Sequence, residues 1–255
     1  MTHELEGVYA AALTPLHADY SPDLEAIPSL LDFLANRGCH GALLLGTTGE
    51  GPSFSPEERL AIFQAARQIK QTHPLFRLLA GTGTPSLTET VDLTRSAFSL
   101  GFDGVVVLPP YYYRKVGDAG LFAWFDELLK QAVPAGGYLL GYHIPPVSGV
   151  AISLDLMEQL KHAHPIKFAG IKDSSGEAAF SESLGKRFGT EMLVLNGDDH
   201  LLKLALDAHA GGCITALANL YSPELRQAWD LYQQKGDLTS IQARIDALRL
   251  VLEGY

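Results

Sequence analysis

Several kinds of feature are scarce in this chain, and each scarcity narrows its possible functions. The 255 residues include only two cysteines, Cys39 and Cys213, which form no close-spaced pair and suit a reducing compartment. No apolar run reaches the roughly 18 residues of a membrane span. The first six residues, Met1 to Glu6, lack the basic and apolar parts of a signal peptide. We therefore expect a cytoplasmic protein that does not cross a membrane.

Basic residues are also few, because 19 Lys and Arg stand against 29 Asp and Glu for a net charge of −10. This balance argues against nucleic acid or an anionic membrane as a general partner. Local hydrogen-bond donors can still bind an acidic metabolite. Hydrophobic residues make up 47% and charged residues 19%, which are ordinary values for a soluble globular protein with a sizeable core.

Short apolar runs alternate with helical patterns eight times along the chain. Most of the runs are continuously apolar, as expected of strands that are buried on both faces. Several helical segments begin with capping residues or prolines, namely Ser21-Pro22-Asp23, Ser55-Pro56-Glu57-Glu58 and Ser222-Pro223-Glu224. The predicted strands are Gly7–Leu13, Gly41–Leu45, Phe76–Ala80, Gly104–Leu108, Gly137–Tyr142, Lys167–Lys172, Met192–Leu195 and Gly212–Leu217.

Eight strand–helix units in about 235 residues predict an α/β protein with a closed (β/α)₈ barrel, the TIM barrel fold. A doubly wound open sheet is the alternative, but eight even units without a second domain favour closure. We assign residues 1–235 to the barrel, with its last helix at about Ser222–Lys235. Residues 236–255 are expected to form a short C-terminal helical extension, with a helix at about Leu238–Glu253.

Catalytic groups of a (β/α)₈ barrel lie at the carboxyl ends of the strands and in the loops that follow. This rule brings an amine, hydroxyl groups and phenols together on one rim. The segments concerned are Gly46–Gly51, Pro109–Arg114, Tyr142–Gly149, Lys172–Ser175 and Asn196–His200.

Lys172 is the most informative of these residues, because it ends a short apolar strand and precedes a polar turn. Burial there disfavours the ammonium form and favours a neutral amine that can attack a carbonyl. Amines of this kind form Schiff bases. The structural alternative is a lysine that extends from a strand end into water.

The loop Gly46–Gly51 places two threonines between glycines, an arrangement that can turn hydroxyls and backbone N–H groups towards a small anion. It lacks the Gly-Lys-Ser/Thr ending of a phosphate-binding loop, so a carboxylate is the expected guest, and a plain turn is the alternative. Gly81-Thr82-Gly83 lacks the third glycine of a dinucleotide loop, so a nicotinamide cofactor is not expected.

The amine, the hydroxyl groups and the phenol at this rim together predict an aldol-type reaction. The amine of Lys172 condenses with the keto group of a 2-oxo acid whose carboxylate lies on Thr47 and Thr48. The iminium acts as an electron sink, so that a neighbouring C–C bond breaks or, in reverse, an enamine adds to an aldehyde. Tyr142, held by Thr47 or by a tyrosine of the 111–113 run, transfers protons.

No metal or other cofactor is required by this reaction. The alternative is a metal-dependent aldolase in which Asp198, Asp199 and His200 hold a divalent ion.

Four ordered motifs resemble the dihydrodipicolinate synthase/N-acetylneuraminate lyase superfamily, and the likeness runs from about Gly7 to Tyr232. They are Gly46-Thr47-Thr48-Gly49-Glu50, Pro110-Tyr111-Tyr112, Tyr142-His143-Ile144-Pro145 and Gly170-Ile171-Lys172-Asp173. The resemblance implies a barrel enzyme that uses pyruvate through a Schiff base on Lys172. It also implies proton transfer by Tyr142, with Thr47 as its relay partner.

The resemblance further implies a homo-oligomer, because Tyr112 matches a tyrosine that crosses from a neighbouring subunit. A homodimer or homotetramer is expected, although family members usually have a longer helical region after the barrel. Thr48 is placed on the substrate carboxylate, and Ile214 lines the pyruvate pocket. The other implied substrate-binding residues are Gly46, His143, Ser174, Gly197 and Asp199, of which Ser174 and Asp199 match residues that meet substrate hydroxyls in the lyases.

Two departures bear on the substrate. Dihydrodipicolinate synthases usually read Tyr-Asn-Val-Pro-Ser-Arg-Thr-Gly after the fifth strand, where the arginine holds the carboxylate of aspartate semialdehyde. Val147 takes that place here, and an isopropyl group cannot replace a guanidinium. His143 replaces the asparagine, and His200 stands where neuraminate lyases carry a glutamate.

We therefore expect an aldolase that cleaves a 2-oxo-3-deoxy sugar acid or a 4-hydroxy-2-oxo acid to pyruvate and an aldehyde. The alternatives are 4-hydroxy-tetrahydrodipicolinate synthase activity despite Val147, and a catalytically silent sensor that binds 2-oxo acids.

Overall fold

The computed structural model describes residues 3–253, which form eight strands, each followed by helical structure. The strands are β1 Gly7–Ala11, β2 Gly41–Leu44, β3 Arg77–Gly81, β4 Gly104–Val107, β5 Tyr138–His143, β6 Phe168–Asp173, β7 Leu193–Asn196 and β8 Gly212–Thr215. The α-helices are α1 Ala26–Asn36, α2 Pro56–Ala66, α3 Leu87–Ser99, α4 Asp118–Ala132, α5 Pro145–Ser148, α6 Leu154–Ala163, α7 Ala178–Phe188, α8 Leu202–Asp207, α9 Ala218–Gln233 and α10 Thr239–Glu253. Short 3₁₀-helices lie at Gly51–Ser53, Arg67–Gln71 and Asp199–Leu201.

All eight strands are parallel and pair in chain order, and β8 pairs with β1 to close the sheet. The predicted (β/α)₈ barrel is thereby confirmed, and the open doubly wound sheet is wrong. Each observed strand overlaps its predicted run. The carboxyl ends of the strands therefore meet at one rim, as the sequence predicts.

The strands read as continuously apolar because both of their faces are buried. One face of each strand points into the barrel, where side chains such as Leu43, Leu79, Val106 and Leu140 form an inner cluster. Neighbouring residues point outwards and pack with the helices in a larger outer cluster. Successive side chains of a strand alternate between these two cores, which decides whether a rim residue can face a ligand.

The predicted helix starts differ in accuracy. Ser55 makes a complete capping box at α2, since its hydroxyl accepts a hydrogen bond from Glu58 N and the Glu58 carboxylate accepts one from Ser55 N. The predicted start at Ser21 is wrong, because α1 begins at Ala26 and the Ser21 hydroxyl donates to Asp19 instead.

The last helix of the barrel consists of two segments. Helix α9 starts with an extra turn at Ala218 and is broken at Tyr221, where φ is −123° and ψ is 36°; the second segment begins at the predicted Ser222, with Pro223 in its first turn. The extra turn positions Asn219, whose amide donates to Ala11 O at the end of β1.

Helix α10 is attached to the carboxyl rim of the barrel. The Gln242 side chain donates to Asp199 O at 2.9 Å and accepts from Lys203 N at 2.8 Å, while Ile241 and Ile245 are buried. The helix therefore fixes the loop that follows β7. No helix within residues 3–253 is long and apolar enough to cross a membrane.

Candidate active site

Lys172 lies inside the barrel rim, near the end of β6. Lys172 follows the outward-facing Ile171, so its own side chain points into the barrel. The residue is only 3% exposed. It lines a cavity of about 300 Å³ at the carboxyl ends of the strands, so it does not extend into open water. The cavity is lined by Ala11, Thr47, Thr48, Tyr142, Ile144, Lys172, Ser174, Ser175, Gly176, Gly197, Asp198, Asp199, Ile214, Ala216 and Arg249.

Tyr142 is the cross-strand neighbour of Lys172, because the two residues are paired in the register of β5 and β6. The Lys172 Nζ lies 4.1 Å from the centroid of the Tyr142 ring. The phenol oxygen in turn lies 3.1 Å from Thr47 Oγ1, at hydrogen-bonding distance. The amine, the phenol and the threonine hydroxyl thus form one contiguous group, as the sequence predicts.

The pKa of the Tyr142 phenol is lowered from its ordinary value. Burial by itself raises this pKa, but the positive charge of Lys172 and hydrogen bonds with Thr47, Lys172 and Ser174 outweigh that effect. These contacts stabilise the phenolate, so the hydroxyl is tuned towards giving up its proton.

The loop after β2 is a tight turn that presents both threonines. Its boundaries adopt left-handed backbone conformations, with φ of 57° at Leu45 and 54° at Glu50. Gly49 packs so closely on Ala12 O that a Cβ there would lie 2.7 Å from that oxygen. Strained backbone of this kind is often held at functional sites. The loop is therefore a glycine-dependent turn, and that turn places Thr47 and Thr48 at the cavity.

The loops after β6 and β7 are held together by a backbone hydrogen bond, since Gly197 N donates to Asp173 O at 2.7 Å. Within the loop after β6, the Asp173 carboxylate accepts hydrogen bonds from Ser175 N at 3.0 Å and from the Ser181 hydroxyl of α7 at 2.9 Å. Any Cβ at Gly197 would collide with the Ser174 hydroxyl. Only glycine at 197 therefore allows Ser174 its present place beside the cavity.

Asp199 is almost fully buried beside the cavity and is paired with an arginine from the C-terminal helix. Arg249 Nη1 donates to Asp199 Oδ2 at 3.2 Å. Desolvation raises the pKa of Asp199 to about 6, against the opposing effects of Thr215 and Arg249. Sequence reasoning missed Arg249, because it lies outside the eight strand–loop units and no motif marks it.

Among the predicted substrate-binding residues, Thr48, Ser174, Gly197, Asp199 and Ile214 all line the cavity of Lys172. The structure does not bring the other two, Gly46 and His143, into it, nor the predicted catalytic residue Tyr112, as described next.

His143 faces outwards from β5. Its ring stacks on Phe180 of α7 with centroids 4.3 Å apart, and its Nδ1 accepts a hydrogen bond from Ile152 N. Burial lowers the pKa of His143, and the nearby acids Asp173 and Glu177 only partly oppose this. The side chain is one residue after the inward-facing Tyr142 and consequently on the other face of the strand.

Tyr112 is 75% exposed and contacts Tyr113 rather than Tyr142.

Gly46 lines a second cavity of about 350 Å³, which shares Thr47 and Tyr142 with the first. Val147 also lines this second cavity and is absent from the lining of the cavity of Lys172.

A metal site at the loop after β7 is not assembled by the residues present. The Asp199 carboxylate binds Arg249, and the His200 ring lies 3.1 Å from an Asp246 oxygen. Within residues 3–253, no group of three or more His, Cys, Asp or Glu side chains is arranged to hold a metal ion.

Residues 4–252 match the Dihydrodipicolinate synthetase family. An uncharacterized DapA-like lyase of Chloroflexus aurantiacus is 39% identical over 247 residues, which are 96% of this chain and 81% of that protein. The chain belongs to the dihydrodipicolinate synthetase family. It is therefore a lyase of that family, as the motifs predict.

Two further comparisons support this assignment. A 4-hydroxy-tetrahydrodipicolinate synthase of Corynebacterium urealyticum is 34% identical over 92% of this chain and 75% of its own length. The solved structure of YagE, a prophage protein of the dihydrodipicolinic acid synthase family from E. coli K12 in complex with pyruvate, gives a TM-score of 0.89 at 26% identity. That match covers 98% of this chain and 82% of the other.

Proposed function

We propose that this protein is a pyruvate-dependent aldolase that forms a Schiff base on Lys172 and cleaves a 2-oxo-3-deoxy sugar acid or a 4-hydroxy-2-oxo acid. The observation that supports it most strongly is the geometry around the amine. Lys172 is enclosed in the cavity, 4.1 Å from the ring of Tyr142, whose hydroxyl lies 3.1 Å from Thr47 Oγ1. The pyruvate complex of YagE supports a 2-oxo acid as the ligand.

The cleavage begins when the neutral Lys172 amine adds to C2 of the substrate to give a carbinolamine, which takes up one proton and loses water to form an iminium. A base then takes the proton of the C4 hydroxyl, the C3–C4 bond breaks, and its electrons move to the iminium nitrogen as an enamine. The aldehyde leaves, the enamine gains a proton at C3, and water releases pyruvate from the lysine. No oxidant, reductant or metal takes part.

Tyr142 is the residue suited to these proton transfers. It is the cross-strand neighbour of the amine, and its lowered pKa favours exchange of the phenolic proton. Thr47 connects Tyr142 to the second cavity, whose lining both residues share with the first. Thr48, in the same turn, is placed to bind the 2-oxo acid carboxylate through its hydroxyl and backbone N–H.

A second subunit completes this relay in our proposal. Tyr112 and Tyr113 are 75% and 62% exposed and pack edge to face with centroids 5.2 Å apart. Paired exposed aromatic rings are typical of an interface core. Tyr112 of a second copy then enters the cavity beside Thr47, and the active unit is at least a homodimer.

The second candidate is 4-hydroxy-tetrahydrodipicolinate synthase activity, which the relative from Corynebacterium urealyticum favours. The position of Val147 weighs against it, because a valine side chain, 58% exposed, offers no donor to a substrate carboxylate. Steady-state turnover with pyruvate and aspartate semialdehyde at ordinary enzyme rates would support this candidate over the aldolase.

The test of the proposal is reduction with borohydride in the presence of pyruvate, followed by an aldol screen. A stable adduct is expected in the native chain and in Lys167→Ala, a control at the residue just before β6, but not in Lys172→Ala. Cleavage activity is expected to survive a chelator. An adduct with no turnover on any oxo acid would identify a 2-oxo-acid sensor instead.

A further inference from the structure

His143 joins the two ends of the loop that follows β5. Its ring Nδ1 accepts a hydrogen bond from Ile152 N at 3.0 Å, nine residues further along the chain. Both residues are buried, with exposed fractions of 4% and 0%. The ring also stacks on Phe180 of α7, with centroids 4.3 Å apart and the ring planes 15° from parallel. One side chain therefore closes the loop at its base, away from bulk water.

The loop closed in this way supplies part of the wall of both cavities. Ile144, directly after His143, lines the cavity of Lys172, and Val147 and Ser148 line the second cavity. The Ser148 hydroxyl lies 3.0 Å from Ile144 O, so the two parts of the wall are bonded to each other. A change at the base of the loop therefore reaches both cavities.

The backbone of His143 holds a residue of the neighbouring loop. Its carbonyl oxygen accepts a hydrogen bond from Ser174 N at 2.8 Å. Ser174 lines the cavity of Lys172, and its side chain is one of the hydrogen-bonding groups that lower the pKa of the Tyr142 phenol. His143 thus lies behind the cavity wall and contacts residues that form it on two loops.

Only a neutral imidazole can accept the hydrogen bond that closes the loop. A protonated ring carries a hydrogen on both nitrogens, so its Nδ1 would meet Ile152 N–H as a second donor. The Ile152 segment presents a backbone N–H to the ring, and Phe180 presents an apolar face. Neither of these contacts gives a protonated Nδ1 a new acceptor.

The surroundings of the ring keep it neutral near pH 7. Asp173 of β6 and Glu177, directly before α7, are the acids whose charges favour protonation of His143. Each oxygen of Asp173 already accepts a hydrogen bond, one from Ser175 N and the other from the Ser181 hydroxyl. Desolvation outweighs both acids, so the pKa of His143 is lowered from its ordinary value of 6.5.

We infer that His143 is a positioning residue whose neutral ring holds the loop after β5 closed and whose protonation releases that loop. This inference goes beyond the proposed function, because it concerns how the cavity walls are held and not which ligand they bind. The loop is closed above pH 6.5 and opens as the ring gains a proton at lower pH. Ile144 and Ser174 then lose their fixed places at the cavity.

The test measures hydrogen exchange of the Ile152 amide by NMR at pH 7.5 and at pH 4.5. The native chain is compared with His143→Asn at each pH, so that the intrinsic pH dependence of exchange cancels. Asparagine offers an amide oxygen close to the place of Nδ1, and this acceptor does not titrate. We expect the ratio of the native to the variant exchange rate to rise about 2- to 10-fold from pH 7.5 to pH 4.5, the value of one hydrogen bond.

Two further variants serve as references. His143→Leu keeps an apolar contact with Phe180 but has no acceptor, so Ile152 should exchange rapidly at both pH values. If this variant does not fold, the comparison of the native chain with His143→Asn decides alone. His162→Asn is the matched control, because His162 lies near the end of α6 and lines neither cavity. Its exchange rate at Ile152 should follow that of the native chain at both pH values.

Trapping of pyruvate with cyanoborohydride is the second readout. The trapping rate should fall more steeply below pH 6.5 in the native chain than in His143→Asn, and an equal fall in both would overturn the effect of the loop on the cavity. Equal pH dependence of Ile152 exchange in the two proteins would overturn the role of His143 and leave the aldolase in place. Absence of trapping in the native chain would overturn the proposed function alone, because the exchange measurement needs no ligand.

Discussion

At the scale of single residues, the proposed proton transfers depend on how the surrounding barrel residues change the pKa of the Tyr142 phenol. Its burial alone would hold the phenol protonated, and it is the neighbouring positive charge and hydrogen bonds that lower the pKa. Removing one of those contacts therefore raises the pKa of Tyr142. Loss of the Thr47 hydroxyl is one such change.

We predict that Tyr142→Phe lowers kcat for cleavage about 10²- to 10⁴-fold, the usual contribution of a positioned acid–base group. Thr47→Val keeps the shape but removes the hydroxyl at 3.1 Å, so the pH–rate limb that reports Tyr142 should move to higher pH. Pyruvate trapping at high pyruvate concentration should persist in both variants. A pH–rate profile unchanged by Thr47→Val would contradict the relay.

Asp199 gives a prediction for stability. Its pKa is raised from 3.8 to about 6, so the native state binds this proton more tightly than the unfolded state does. The resulting stabilisation is full below about pH 4 and is lost as pH rises through about 6. Between pH 4.5 and pH 7.5, the free energy of unfolding of the native chain should fall by about 2 kcal/mol relative to that of Asp199→Asn.

Urea unfolding of both proteins at the two pH values measures this difference. Equal pH dependence in the two proteins would show that Asp199 does not titrate in this range.

At the scale of elements, the loops after β6 and β7 touch through Gly197 and Ser174. We predict that Gly197→Ala displaces the Ser174 hydroxyl and destabilises the protein by about 1–3 kcal/mol, the usual cost of overpacking. Gly117→Ala is the control, because a Cβ there meets nothing within 4 Å. Thermal unfolding measures both, and equal midpoints would contradict the close contact.

The strands could be predicted because each is short, apolar throughout and followed by a turn. The residues at their ends could be placed on one rim because parallel strands of a barrel share a direction. The prediction for His143 was wrong because it followed the family motif and not the alternation of side chains along a strand. His143 comes directly after the inward-facing Tyr142, so its ring points to the outer core, where it stacks on Phe180.

Other features of the structure could not be predicted because the local sequence does not indicate them. Ser21-Pro22-Asp23 has the composition of a helix start, but Pro22 forms an isolated bridge with Leu16 and the helix begins later. Arg249 reaches the cavity only through the packing of α10 on the rim, a tertiary contact that no sequence spacing reveals. In our proposal, Tyr112 likewise gains its role only from a second copy of the chain.

At the scale of the whole molecule, the proposed dimer gives each active site residues from two chains. We predict that Tyr112→Phe lowers kcat, whereas Tyr113→Phe does not. Mixing Tyr112→Phe with the inactive Lys172→Ala chain should restore activity, because one site of the mixed dimer then has an intact lysine and the partner's intact tyrosine. No recovery after subunit exchange, confirmed by differently tagged chains, would contradict a shared site.

The central claim is that the amine of Lys172 attacks the ketone of a bound 2-oxo acid. Peptide mapping by mass spectrometry after reduction with pyruvate present tests it most directly. The account predicts that the peptide containing Lys172 gains the mass of one reduced pyruvyl group, while peptides with other lysines stay unmodified. An unmodified Lys172 peptide, or label spread over surface lysines, would contradict it.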